Sequence, residues 1–317
     1  MEFLYFLESL RNPVLDSIML LVTELGSEAV FLAVALCLFW CIDKKAGYYM
    51  LITGFVGISI NQFLKLSFRI ERPWVKDPNF TIVEEARAEA TGYSFPSGHT
   101  QNITGVFGSI ARFFSKKKLI LWISLVIIAL VALSRMYLGV HTPLDVGVSL
   151  AVGALLVFVL YPLVMKAFDN EKIMYIIMGC VIAVAIAFVC YTEFYPFPAD
   201  IDEANYLSGL KNSYSLLGAV LAFPVIYIVD KKYVRFETDA CLWGQAVKLV
   251  VGAALALAIK SLLKAPLNDL LNGHYASNAI RYFAVVVFAG IIWPLTFRFF
   301  PKRKVKMSEE ENKQENI

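Results

Sequence analysis

The chain has 317 residues, 58% of them apolar, and a net charge of +3. An apolar share that high, gathered in blocks, excludes an ordinary water-soluble domain. So small a net charge gives no basic excess of the kind that draws a protein to nucleic acid, and no such partner is expected. A bilayer-crossing helix needs about 20 mostly apolar residues, and open backbone in lipid is too costly for anything but helices or a closed barrel. The blocks here are long and lack strict polar/apolar alternation. The expected fold class is therefore all-α, a polytopic membrane helical bundle with about nine transmembrane helices.

In chain order, residues 1–26 predict an amphipathic segment lying at the membrane interface. The opening "MEFLYFLESLRNP" leans acidic and lacks the basic start of a cleavable signal peptide. "TELGS", residues 23–27, breaks the pattern before the first span. Spans are expected over 27–42, 46–67, 99–114, 118–137, 143–165, 171–191, 212–230, 242–263 and 279–299. The first five make one unit over 27–166, and four more occupy 167–300. The tail 301–317, "PKRKVKMSEEENKQENI", is polar and expected to be disordered in the cytoplasm.

Lys and Arg orient the bundle. One alternate set of loops holds Lys44, Lys45, Arg112, Lys116, Lys117, Lys118, Lys166, Lys172, Lys231, Lys232 and Arg235, whereas "TEFYPFPADIDEAN" on the other side has neither. The positive-inside rule makes the first set cytoplasmic, leaving the N-terminus outside and the C-terminus inside. The expected location is a bacterial plasma membrane. The five cysteines, Cys37, Cys41, Cys180, Cys190 and Cys241, lack the clustered spacing of a zinc site and read as small apolar side chains.

Basic residues on the outer side run against this bias and need another reason. Three stretches hold the chemistry: "KLSFRIERP" from Lys65 to Pro73, "PSGH" from Pro96 to His99, and "SRMYLGVHTPLD" from Ser134 to Asp145. By span parity all three face the outside. Lys65, Arg72 and Arg135 bring three cations to one face, and an anion would relieve their repulsion; Arg matches phosphate geometry and Lys adds a point charge. Ser97 and Gly98 add a hydroxyl and backbone N–H donors at a helix start. No metal ligand set and no cofactor is expected. Two of the three histidines fall here. Thr142-Pro143 reads as a helix N-cap and first residue, and Asp145, four residues after His141, is in reach of its ring. A carboxylate on one imidazole nitrogen leaves the other free to attack, while His99 on the anion-binding turn is placed to protonate a leaving oxygen. A nucleophile, an acid and an anion clamp describe phosphoryl transfer through a phosphohistidine. Singly, each piece reads as an interface anchor, a cap or a loop; jointly they do not.

Lys-x6-Arg-Pro, Pro-Ser-Gly-His and Ser-Arg-x5-His-x3-Asp, in that order, resemble the signature of the type 2 phosphatidic acid phosphatase superfamily, and every position is filled. The resemblance covers about residues 27–165. It implies a catalytic transmembrane core in which His141 is the nucleophile, His99 the acid/base and Asp145 the orienting carboxylate. It also implies that Lys65, Arg72, Ser97, Gly98, His99 and Arg135 contact phosphate. Vanadium-dependent haloperoxidases have a similar cradle but are soluble. The layout also looks like the glucose-6-phosphatase and sphingosine-phosphate phosphatase branches.

The function these readings predict is a metal-independent membrane phosphatase acting at the outer face on a lipid phosphate, such as phosphatidic acid, or on an isoprenoid diphosphate, such as undecaprenyl diphosphate. Phosphotransfer to a lipid or sugar hydroxyl, a sugar-phosphate phosphatase, and a non-catalytic lipid-binding or transport protein are the alternatives. Membrane lipids are expected partners, and the last four spans offer a homodimer surface. His274, in "NGHYASN" on the outer side, is a candidate substrate contact, although loop chemistry alone would also explain it. Lys248 lies deep in the eighth span with no partner legible in the sequence.

Overall fold

A computed structural model describes residues 1–302; the predicted disorder of the tail falls almost wholly outside the described residues. The described chain is all-helical, without a strand. It opens with α1 (Glu2–Ser9), α2 (Pro13–Glu24) and α3 (Glu28–Cys37), the last prolonged by a wider turn over Leu38–Ile42. Then come α4 (Lys44–Phe68), the short α5 (Pro73–Lys76) and α6 (Gly98–Phe113). The remaining helices are α7 (Lys118–Tyr137), α8 (Pro143–Asp169), α9 (Glu171–Phe194), α10 (Glu203–Val229), α11 (Leu242–Leu262), α12 (Lys264–Leu270) and α13 (Ala276–Val287).

Polar caps set most of the boundaries. Asn12 and Ser27 accept from Leu15 N and Val30 N to start α2 and α3. Asp43 starts α4, which stops at Arg69 in the left-handed region at φ 47°. Asp202 caps α10 through Asn205 N at 2.7 Å, so that helix begins nine residues before the expected 212. The polar first turns of such a helix extend past the apolar stretch that hydropathy detects.

Among the described residues seven helices are long and apolar enough to cross a membrane, and α2 with α3, bent by 49° at their break, makes an eighth if the pair is one span. The ninth expected span is α6, only 16 residues long. It carries Gln101, Thr104 and Ser109 on its buried face, so its apolar content is low because its inner side is polar. α6 packs against α4, α7 and α8, which places it at the centre of that group of helices.

The later helices are continuous with this core. One hydrophobic cluster runs from Phe39, Tyr49 and Phe55 through Val164 and Met178 to Phe223, Phe288 and Phe297. α10 lies close against both α4 and α13. A Cβ on Gly218 would lie 2.6 Å from the Ala279 carbonyl carbon, so only glycine allows that approach. On the other flank, Lys44 Nζ meets Asp230 Oδ2 at 2.7 Å and ties the start of α4 to the end of α10.

Candidate active site

The site grows from the C-terminal ends of α4 and α7 and the N-terminal ends of α6 and α8. Thr142 caps α8 and shares a reciprocal capping box with Asp145, with Pro143 at the first helical position. The Asp145 carboxylate is thereby fixed, and Oδ2 accepts from Thr142 N at 2.8 Å and from Ser94 Oγ at 2.6 Å. His141 Nδ1 stands 3.5 Å from the same oxygen, just beyond hydrogen-bond length. On the opposite edge, His141 Nε2 lies 3.0 Å from Arg72 Nη1. A guanidinium only donates, so Nε2 carries the lone pair and the ring proton sits on Nδ1, facing Asp145. His141 is 2% exposed. Its burial holds the imidazole well below the ordinary histidine pKa, and Arg72, Arg135, Lys65 and His99 push the same way.

Arg72 also braces the loops around it. Its Nε donates to Gly92 O at 3.2 Å, Nη1 to Val140 O at 2.9 Å and Nη2 to Thr91 O at 2.8 Å. Lys65, in the last turn of α4, donates to the Tyr93 carbonyl. Arg135, on the last turn of α7, is buried; its Nη1 donates to Thr23 Oγ1 at 2.7 Å, and Nε has no hydrogen-bond partner. Lys65, Arg72 and Arg135 are all buried, with Asp145 as the buried carboxylate among them. That excess of positive charge in low dielectric is an anion site by simple electrostatics.

Ser97 is the N-cap of α6, and its Oγ accepts from Thr100 Oγ1 at 3.0 Å. Its backbone is anchored to α8, with Ser97 N donating to Asp145 O at 3.2 Å and Ser149 Oγ donating to Ser97 O at 2.9 Å. Gly98 and His99 open α6, and His99 Nε2 is buried without a partner. The helix N-terminus thus faces the same pocket as the three cations.

The structure brings together Lys65, Arg72, Ser97, Gly98, His99, Arg135, His141 and Asp145. It does not bring in His274, which is exposed, accepts from Ala276 N at 3.1 Å and meets the Tyr214 ring edge-on at 5.6 Å. Arg87 forms an exposed pair with Glu84 at 2.8 Å and meets the site through the Trp74 ring, over which Arg72 also lies. Lys248 finds its partners in backbone: Nζ donates to Thr238 O at 3.1 Å, with the Glu237 and Asp239 carbonyls at 3.4 and 3.5 Å.

The sequence reading missed four contributors: Ser94 on Asp145, Thr23 on Arg135, the Tyr93 carbonyl on Lys65, and Asn61. Asn61 is buried one turn before Lys65, with both amide atoms unpartnered and Oδ1 3.8 Å from where a Gly98 Cβ would lie. A polar side chain inside an apolar span is itself a signal, and Asn61 carried it.

Residues 44–169 match the PAP2 superfamily model, and residues 214–304 match the PAP2 superfamily phosphatase transmembrane extension. The chain is 35% identical over 155 residues to undecaprenyl-diphosphatase BcrC of Bacillus subtilis, covering 48% of this chain and 76% of that one. It is 32% identical over 177 residues to phosphatidylglycerophosphatase B of the same organism, covering 51% and 79%. Sphingosine-1-phosphate phosphatase 1 of Mus musculus is 26% identical over 268 residues, covering 76% of this chain and 58% of that one. No solved structure matches the chain.

Proposed function

The chain belongs to the PAP2 superfamily as an integral-membrane lipid phosphatase, and on that premise we propose that it releases phosphate at the outer membrane face through a phosphohistidine on His141. The observation that carries this reading is the two-sided setting of the His141 ring, with Asp145 on Nδ1 and a guanidinium donor on Nε2. Nε2 is the unprotonated nitrogen; its electron pair accepts from Arg72 Nη1 until a phosphoryl oxygen takes over that N–H, which frees the pair to attack.

In the first step Nε2 attacks phosphorus and forms a P–N bond as the P–O bond to the leaving group breaks. His99 gives its proton to the departing oxygen. Asp145 stabilises the positive charge that develops on the imidazole. In the second step water attacks the phosphoryl group, His99 takes a proton from that water, and the P–N bond breaks to return Nε2. Lys65, Arg135 and the N-terminal amides of α6 neutralise the charge that gathers on the phosphoryl oxygens. All these donors are nitrogen groups of the chain, and the cycle proceeds without metal.

The substrate is a membrane amphiphile: a polyprenyl diphosphate or a lipid phosphate monoester. Two relatives named for undecaprenyl diphosphate and phosphatidylglycerol phosphate align with about half of the chain, while one named for sphingosine phosphate aligns with three quarters of it. A panel should therefore hold undecaprenyl diphosphate, phosphatidylglycerol phosphate, phosphatidic acid, a sphingoid phosphate and glucose 6-phosphate. Purified protein in excess EDTA should release phosphate from one or more of the lipids and far more slowly from the sugar. Activity that vanishes with the chelator and returns with Mg²⁺, or no release from any lipid, would refute the reading.

A further inference from the structure

The family match begins at Lys44, yet the phosphate site has a wall that lies before it. Thr23, in the last turn of α2, is 2% exposed and accepts the Arg135 Nη1 bond at 2.7 Å. Two residues beyond the helix, Gly26 lies directly on the start of α6. A Cβ there would stand 2.9 Å from the His99 carbonyl oxygen, closer than real Cβ atoms come, and a tight 3.0 Å from His99 Cβ. Asn102 Nδ2 approaches the Gly26 carbonyl at 3.4 Å. The break between α2 and α3 therefore rests on both the arginine and the histidine of the site.

α2 is held to this position by polar contacts and leaves its other side exposed. Tyr137 OH donates to Asp16 Oδ1 at 2.7 Å, and Arg11 Nε donates to the Tyr137 carbonyl at 2.9 Å. Leu15, Met19 and Leu20 pack on the cluster of Val83, Tyr137, Leu138 and Val140. The opposite stripe of Val14, Ile18, Leu21 and Leu25 is exposed.

We propose that Thr23 is a positioning residue for phosphate recognition, acting through Arg135. The bidentate edge of a guanidinium is formed by Nε and one terminal nitrogen. By occupying Nη1, Thr23 fixes the plane of the group and leaves Nε, which has no protein partner, facing the anion. Without that anchor the guanidinium turns about its last torsions and loses the fork. The inference rests on the phosphatase reading of the same site and adds a residue that no signature position contains.

The test compares Thr23→Val, which keeps the shape and removes the hydroxyl, with Thr23→Ser, which keeps the hydroxyl. The readouts are kcat and KM for phosphatidic acid in mixed micelles (or for the most active lipid of the panel) and the inhibition constant of orthovanadate. A hydrogen bond to a charged group that orients a charge-assisted contact is worth about tenfold. Thr23→Val should raise the vanadate inhibition constant and KM about tenfold while kcat falls less, and Thr23→Ser should recover most of the loss. In an Arg135→Lys background, where no fork exists, Thr23→Val should add less than about twofold.

Unchanged vanadate inhibition in Thr23→Val would overturn the proposal, as would an equal loss in the Arg135→Lys background. If the valine variant does not fold, Thr23→Ala is read against Thr23→Ser in the same two backgrounds, and equal constants for alanine and serine overturn it. A wild-type protein that releases phosphate from no lipid condemns the phosphatase reading instead, so the two failures are distinguishable.

Discussion

At the scale of single residues, the two histidines should fail differently. His141 has an oriented ring and a carboxylate behind it, so in the proposed mechanism its loss removes the nucleophile. His99 has a buried, unpartnered Nε2 at the start of α6, which suits a proton donor whose partner is the leaving group. His141→Ala should be dead on every substrate, whereas His99→Ala should keep more relative activity on p-nitrophenyl phosphate, whose leaving group needs no proton, than on an alkyl lipid phosphate. Steady-state kinetics on both substrates decide it, and the reverse pattern would exchange the roles. Asp145→Asn should fall between them. Ser94→Ala should lower kcat about tenfold or more, because it removes a hydrogen bond to the charged Asp145.

The pH dependence follows from burial of the same ring. A pKa held below the ordinary histidine value means that the imidazole stays neutral, and nucleophilic, as pH falls through about 6.5. The acid limb of kcat/KM should therefore lie below that point. In stability the sign is the same: the contribution of a neutral buried His141 is present above the unfolded pKa and is lost progressively as pH falls below it. A pH profile with its acid limb at an ordinary histidine value would contradict the buried, cation-flanked setting. The signature residues were legible because phosphate chemistry narrows residue type at fixed spacing. Thr23 and Ser94 were not, since an ordinary hydroxyl meeting its partner across 112 or 51 positions leaves no spacing to read.

At the scale of elements, hydropathy located the long spans but misjudged ends that polar caps decide, as at Asp202. It also merged α2 into an interfacial segment. The structure divides that segment at the Asn12 cap and bends it near Gly26, where the close seat against His99 at the start of α6 is a tertiary contact that hydropathy does not register. The close crossing of α10 and α13 is a second feature that periodicity hides. Gly218→Leu would drive a side chain into the Ala279 backbone, with the Cβ itself 2.7 Å from Ala279 Cα. Overpacking of this kind costs about 1–3 kcal/mol, and the detergent-purified variant should melt at a distinctly lower temperature. A wild-type melting curve would show that the two helices do not cross so closely. The Lys44–Asp230 bridge is the corresponding polar tie, and Asp230→Ala should also lower the melting temperature, since it leaves a partly buried ammonium over the Phe236 ring, 3.6 Å from its centroid.

At the scale of the whole molecule, the orientation rests on loop charge. Cysteines placed at 116 and 197 in a cysteine-free protein should respond oppositely to an impermeant reagent applied from outside, with 197 labelled and 116 protected; the inverse would turn the active site to the cytoplasm. The central claim is covalent catalysis by His141, and the most direct measurement is to capture the intermediate. Purified protein would be mixed with a lipid substrate carrying a radiolabelled terminal phosphate, quenched in alkali, which preserves a phosphoramidate, and digested for peptide mapping. Label should appear on the peptide containing His141 within the first turnover and be absent from His141→Ala. Steady phosphate release with no labelled protein at any time, or label on another residue, would contradict the account.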